Sequence, residues 1–154
     1  MEEFVTFDVA VKLKDKGFRE ECSNYYAHYP GWHQLRINKV ETYFAREVKS
    51  DEFLNMHNRF ENGYIDAPTI SQALTWLRNK HRIHIEPCIL ADCDSINSKK
   101  YTYWSFSIVS IDSGGMIYFE YEHIDDKRFD SYEQAVNAGI EYALDNIVFN
   151  TYIV

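Results

Sequence analysis

With 154 residues, 45% of them hydrophobic and 16% aromatic, the chain has enough apolar surface for one packed domain spanning 1–154 and too much for an intrinsically disordered polypeptide. Its 24 acidic side chains against 16 basic ones leave a formal charge of -8, a field that repels phosphate backbones and anionic lipid and so argues against nucleic-acid and membrane partners. Cys22, Cys88 and Cys93 do not compose a disulfide framework, no run of about 18 apolar residues occurs, and Met1-Glu2-Glu3 lacks a basic-then-apolar leader, so reduced thiols in a cytoplasm are the expectation.

Phe7, Val9, Val11 and Leu13 alternate as in a strand, but Lys16-Gly17-Phe18 has the form of a helix stop. Gly17 takes the left-handed position and Phe18 folds back on Leu13, so residues 7–16 are expected as helix. Cys22 to Tyr29 and Leu35 to Phe44, rich in aromatic and β-branched residues, read as strands around a Tyr29-Pro30-Gly31-Trp32 turn. From Arg46 to Asp66 the pattern loosens into irregular chain with room for one short strand. Thr69 and Gln72 then stand in capping-box spacing and open a helix ending near Lys80 or His81, its stripe formed by Ile70, Ala73, Leu74 and Leu77 with Trp76 at the edge.

Residues 83–90 alternate as a strand with Ile83, Ile85 and Ile89 on one side, and a polar loop from Asp92 to Lys100 follows. Tyr101 to Ser110, the turn Asp112-Ser113-Gly114-Gly115 and Met116 to Tyr121 read as a hairpin. After a charged loop, Ser131 and Gln134 repeat the capping spacing and start a last helix expected to bury Tyr132, Ala135, Val136, Ala143 and Ile147. The expectation is an α+β fold: an antiparallel β-sheet with about three α-helices packed on it, in a single compact domain.

The densest aromatic stretch holds Tyr25, Tyr26, His28, Tyr29, Trp32 and His33. Flat rings with polar tips stack on sugars, bases or a partner's side chains, so Tyr25, Tyr26, Tyr29, Trp32 and His33 are the candidate binding residues, with core packing expected for about half of them. His81, His84, Cys88 and Cys93 offer zinc donors. Along one strand, however, His84 and Cys88 lie about 13 Å apart, too far to share an ion. Asp92, Asp94 and Asn97 begin like a calcium loop, but Asn97 stands where the sixth-position glycine belongs and Tyr103 where the bidentate glutamate belongs. Glu120, Glu122, His123, Asp125 and Asp126 gather carboxylates and an imidazole of the kind that does acid–base work where burial shifts their pKa values, but alternation puts Glu120 and Glu122 on one strand face, where a solvated surface is the ordinary reading. Without a phosphate loop, a nucleophile elbow, a paired-Cys motif or a zinc-protease helix, the sequence assigns no catalytic residue, no metal and no cofactor.

Several phrases resemble small uncharacterised proteins of gut Bacteroidetes genomes and their phages. They are Lys16-Gly17-Phe18 with Cys22 and Tyr25-Tyr26; Ala67-Pro68-Thr69 with Gln72-Ala73, Trp76-Leu77-Arg78, Lys80-His81 and Ile83-His84-Ile85; and Tyr132-Glu133, Ala135, Gly139-Ile140 and Ala143-Leu144. The resemblance implies an intracellular protein of a phage, prophage or other mobile element and brings no activity with it; 38–66 matches nothing in it. The functional expectation is a non-enzymatic module that binds a protein partner or self-associates as a homo-oligomer. The alternatives are a small hydrolase using His81, His84 or His123 with a carboxylate, and a small-ligand or carbohydrate-binding module with an aromatic surface.

Overall fold

The computed structural model describes residues 3–29, 32–36, 63–94, 96–112, 114–121 and 128–147, with 28–29, 32–34, 36, 63–64 and 118–121 described by their backbone. The architecture is α+β: three helices and six strands among the described residues, every strand pairing antiparallel. The strands divide between two three-stranded sheets rather than forming one. The chain separates into two compact units, Met1–Ala73 and Leu74–Val154. No helix among the described residues is long and apolar enough to cross a membrane.

In the first unit, α1 (Phe7–Asp15) starts at Thr6, whose hydroxyl accepts from the Val9 amide. It ends in the Schellman geometry expected from Lys16-Gly17-Phe18. Gly17 has φ +95°, its amide donates to the Lys14 carbonyl, and the Phe18 amide reaches back to the Leu13 carbonyl. Phe18 and Leu13 are both buried, the apolar contact that accompanies such a stop.

Strands β1 (Tyr25–Tyr29), β2 (Trp32–Arg36) and β3 (Gly63–Asp66) lie in the order β2-β1-β3. The second strand starts at Trp32, three residues earlier than its composition suggests, because Tyr29 pairs directly with Trp32 across a two-residue connection. The remainder of that expected strand, 37–44, and the irregular stretch 46–62 lie outside the described residues.

Helix α2 (Ile70–His81) opens on a reciprocal capping box: the Gln72 amide donates to Thr69 Oγ1 at 3.1 Å and the Thr69 amide to Gln72 Oε1 at 2.9 Å. Trp76, placed at the edge of the stripe by periodicity, is a core residue, while Leu74 is only half-buried. The helix stops at Arg82, a non-glycine residue in the left-handed region at φ 56°, whose carbonyl accepts from Ile111 and whose Nη1 donates to the Asp112 carbonyl.

The second unit's sheet has the order β4-β5-β6, from β4 (Ile83–Cys93), β5 (Lys100–Ile111) and β6 (Ile117–Tyr121). β4 runs three residues past its expected end, giving an unbroken ladder of facing pairs from Ile83↔Ser110 to Cys93↔Lys100. Directly opposed residues share a face, so Ile85, Ile108, Pro87, Phe106, Ile89 and Trp104 all lie on one side. Helix α3 (Tyr132–Asn146) covers part of that side. Its Ser131 cap forms as the spacing implies, but the Gln134 carboxamide accepts from Asp130 rather than closing the box. The helix buries Ala135, Val136, Asn137, Gly139, Ile140, Ala143 and Leu144; Tyr132 and Ile147, expected inside, are half-buried at its two ends. A Cβ added to Gly139 would stand 2.8 Å from Ile85 Cγ2 and 3.1 Å from Phe106 Cγ, so the helix backbone lies directly on the sheet.

Candidate functional site

The aromatic stretch divides. Tyr25 and Tyr26 are buried, which removes them from any exposed binding surface and corrects their place among the candidate binding residues. The Tyr26 hydroxyl donates to the Val5 carbonyl at 2.5 Å, its ring meets Phe7 edge-on, and burial raises its pKa. A tyrosine with an apolar body and a satisfied polar tip is well suited to a core, so ring density alone is a poor guide to exposure. Tyr29, Trp32 and His33 occupy paired positions at the turn end of the β1–β2 hairpin, Tyr29 opposite Trp32 and His28 opposite His33.

The histidines expected of a hydrolase occupy unlike surroundings. His81 closes α2 with its ring 4.4 Å from that of Trp76, and desolvation, with Lys80 nearby, lowers its pKa. His84 is exposed on β4, on the side away from α3 and opposite Val109. His123 lies outside the described residues, as do Glu122, Asp125 and Asp126. Cys88 is half-buried, its thiol pKa raised by desolvation and by Glu86, whereas Cys93 is exposed at the end of β4. Among the described residues no three His, Cys, Asp or Glu side chains gather where they would hold one metal ion.

Two features of the second unit went unmarked in the sequence reading. One is a polar network at the far end of the β4–β5 ladder. The Asp92 carboxylate accepts from the Cys93 amide and from Arg128 Nη2, both at 2.8 Å, and from the Tyr101 hydroxyl at 3.2 Å; these three donors, in that order, lower its pKa. The Arg128 guanidinium also donates to the Tyr101 oxygen at 3.0 Å and lies 4.6 Å from the Tyr103 ring centroid, a cation–π arrangement. Beside it Phe129 and Trp104 exchange both backbone hydrogen bonds, at 2.8 and 2.9 Å, and Trp104 meets Tyr132 edge-on. The network fixes the chain leading into α3 against the hairpin. The Asp92 and Arg128 charges in it offset each other.

The other feature is apolar. Ile96 is 88% exposed, Met116 60%, Ile89 59% and Ile117 58%, with Tyr101 and Ile111 also exposed. All belong to the β4–β5–β6 hairpins. Ile111 and Ile117 face each other across the ladder, so these two form a pair rather than isolated side chains, and the exposed Met116 precedes Ile117 in the chain. The turn beneath is held by Asp112, whose Oδ1 accepts from the Gly114 and Met116 amides at 2.8 Å, while Gly115 takes φ +81°. The sequence signal was present for Ile96, a large apolar residue inside a segment otherwise read as polar loop, and Met116 directly follows the expected turn.

Compared with protein families, with curated proteins and with solved structures, the chain matches none.

Proposed function

We propose that this protein works by binding another protein, as a small non-enzymatic module, and that it belongs to a phage, prophage or related mobile element. The observation that carries the binding reading is the exposed facing pair Ile111 and Ile117, with the exposed Met116 beside it, next to a turn in which Asp112 Oδ1 accepts from the Gly114 and Met116 amides. Large apolar side chains held out on a rigid hairpin cost solvation in the free protein, and association offsets that cost. Tyr29, Trp32 and His33, at paired backbone positions by the β1–β2 turn, are the first unit's candidates for contact with a partner. The contrast with catalysis is chemical. His81 is packed on an indole and His84 stands in solvent, so the two imidazoles share no common environment.

The test compares wild type with a Met116→Lys, Ile117→Lys variant, by light scattering over a concentration series and by capture of partners from the native host. Selective loss of a captured protein, or of a concentration-dependent oligomer, in the variant is the expected result. Identical behaviour of the two proteins in both measurements rules out the patch as the binding surface.

A further inference from the structure

Three side chains of the β4–β5 ladder are arranged as a receptor for a planar cation. Asp92 and Tyr101 face each other across the ladder, and Tyr103 stands two residues further along the same side of β5. The Cys93 amide donates to Asp92 Oδ1 at 2.8 Å and fixes the carboxylate, while the Tyr101 hydroxyl donates to Oδ2 at 3.2 Å. These contacts lie within the ladder and need no other element.

The occupant comes from elsewhere in the chain. Arg128, on the segment leading into α3, donates from Nη2 to Asp92 Oδ2 at 2.8 Å and from Nη1 to the Tyr101 oxygen at 3.0 Å. Its guanidinium carbon lies 4.6 Å from the Tyr103 ring centroid and 5.6 Å from that of Tyr101. Two donors of one planar fork, together with a place over an aromatic ring, are contacts that a guanidinium satisfies and an ammonium, a point charge, does not. The chemistry selected is that of arginine.

Two observations separate this side chain from the backbone that carries it. Phe129 and Trp104 exchange both backbone hydrogen bonds, at 2.8 and 2.9 Å, so the chain beside Arg128 is held without its guanidinium. The Arg128 and Asp92 side chains are also 45% and 40% exposed, and an ion pair so open to water is weakly held. The guanidinium can therefore leave while strand and helix stay in place.

We propose that Asp92, Tyr101 and Tyr103 form a guanidinium site, which Arg128 fills in the free protein and which an arginine side chain of a partner protein takes by displacing it. Arg128 is then an internal competitor that sets how tightly the partner must bind. The net charge of -8 favours the approach of a cationic segment. This site rests on the protein-binding reading for the source of its ligand but lies on a different surface, since Tyr101 and Ile111 stand at opposite ends of β5.

The test follows the ring signals of Tyr101 and Tyr103 and the Nε signal of Arg128 by NMR on the intact chain, titrated with arginine blocked at both termini and, separately, with lysine blocked in the same way. In Arg128→Ala the blocked arginine is expected to shift both tyrosine signals saturably, with an affinity roughly fivefold or more above that for wild type, because the tethered competitor is gone. Blocked lysine binds that variant roughly threefold or more weaker than arginine, and adding Asp92→Asn removes the response. In wild type, at higher concentration, blocked arginine moves the Arg128 signal together with the tyrosine signals. Equal affinity of wild type and Arg128→Ala, equal affinity for lysine and arginine, or a response that survives Asp92→Asn overturns the site. Should Arg128→Ala unfold, wild type decides: tyrosine signals that move while the Arg128 signal stays, or none that move, overturn it. The protein-binding reading then stands or falls by the Met116→Lys, Ile117→Lys comparison.

Discussion

The two ends of the β4–β5 ladder are joined by one continuous strand face but live in different environments. Near Ile83 the α3-facing side holds Ile85, Ile108 and Phe106, all buried under a helix close enough for Gly139 to touch two of them. Toward the other end the same side continues through Ile89, paired with Trp104, and Ile89 stands in solvent. The half-buried Tyr132, first residue of α3, packs against Trp104, so the cover ends where the helix begins. Alternation thus decides which face a side chain takes, and the length and placement of a helix decide whether that face is dry. The covered end is therefore expected to carry the unit's stability, and the uncovered end to contribute little to it.

The largest effect that sharpens this contrast is Phe106→Ala, which removes a fully buried ring. It should destabilise by about 3–5 kcal/mol, read as a drop in the denaturant midpoint at unchanged slope. Gly139→Val follows. Its branches would enter space already held by Ile85 and Phe106, and a cost of about 1–3 kcal/mol is expected despite the better helix propensity of valine. A neutral Gly139→Val would mean that the helix does not lie as close to the sheet as described.

A smaller effect concerns acid. The folded protein lowers the pKa of His81, chiefly by desolvation, so the unfolded chain binds a proton at a higher pH than the folded one does. Stability should therefore fall as pH drops from the ordinary histidine value toward the lowered one and level off below it. His81→Gln should remove that part of the slope, and Trp76 fluorescence reports the neighbouring ring directly. A pH profile unchanged by His81→Gln would contradict the assignment.

The smallest expected change is Ile89→Thr at the uncovered end, within about 0.5 kcal/mol of wild type, because an exposed strand position loses little packing. A loss comparable to that of Phe106→Ala would show that Ile89 is covered and would abolish the distinction between the two ends.

Much of the local structure was legible in the sequence because its causes are local. Lys16-Gly17-Phe18 stops α1 through its own backbone geometry, Thr69 and Gln72 satisfy each other's amides, and Asp112 folds the turn that carries Gly114 and Gly115. The candidate site was legible only in part. The aromatic stretch was visible, but whether Tyr26 faces a partner or the core depends on Val5 and Phe7 about twenty residues earlier. The apolar tip at Ile96 was hidden inside a segment whose composition otherwise read as polar loop, and the exposure of Met116, first residue of an expected strand, depends on packing that alternation does not report.

By itself the sequence determined the caps, the turns, the alternating faces and the α+β class, since each follows from the steric and hydrogen-bonding needs of a few neighbouring residues. Only the tertiary structure decided that the strands form two sheets, that β4 and β5 share one long ladder, and where along it α3 keeps water out. Those outcomes depend on contacts between residues far apart in the chain, and short-range periodicity carries no information about them.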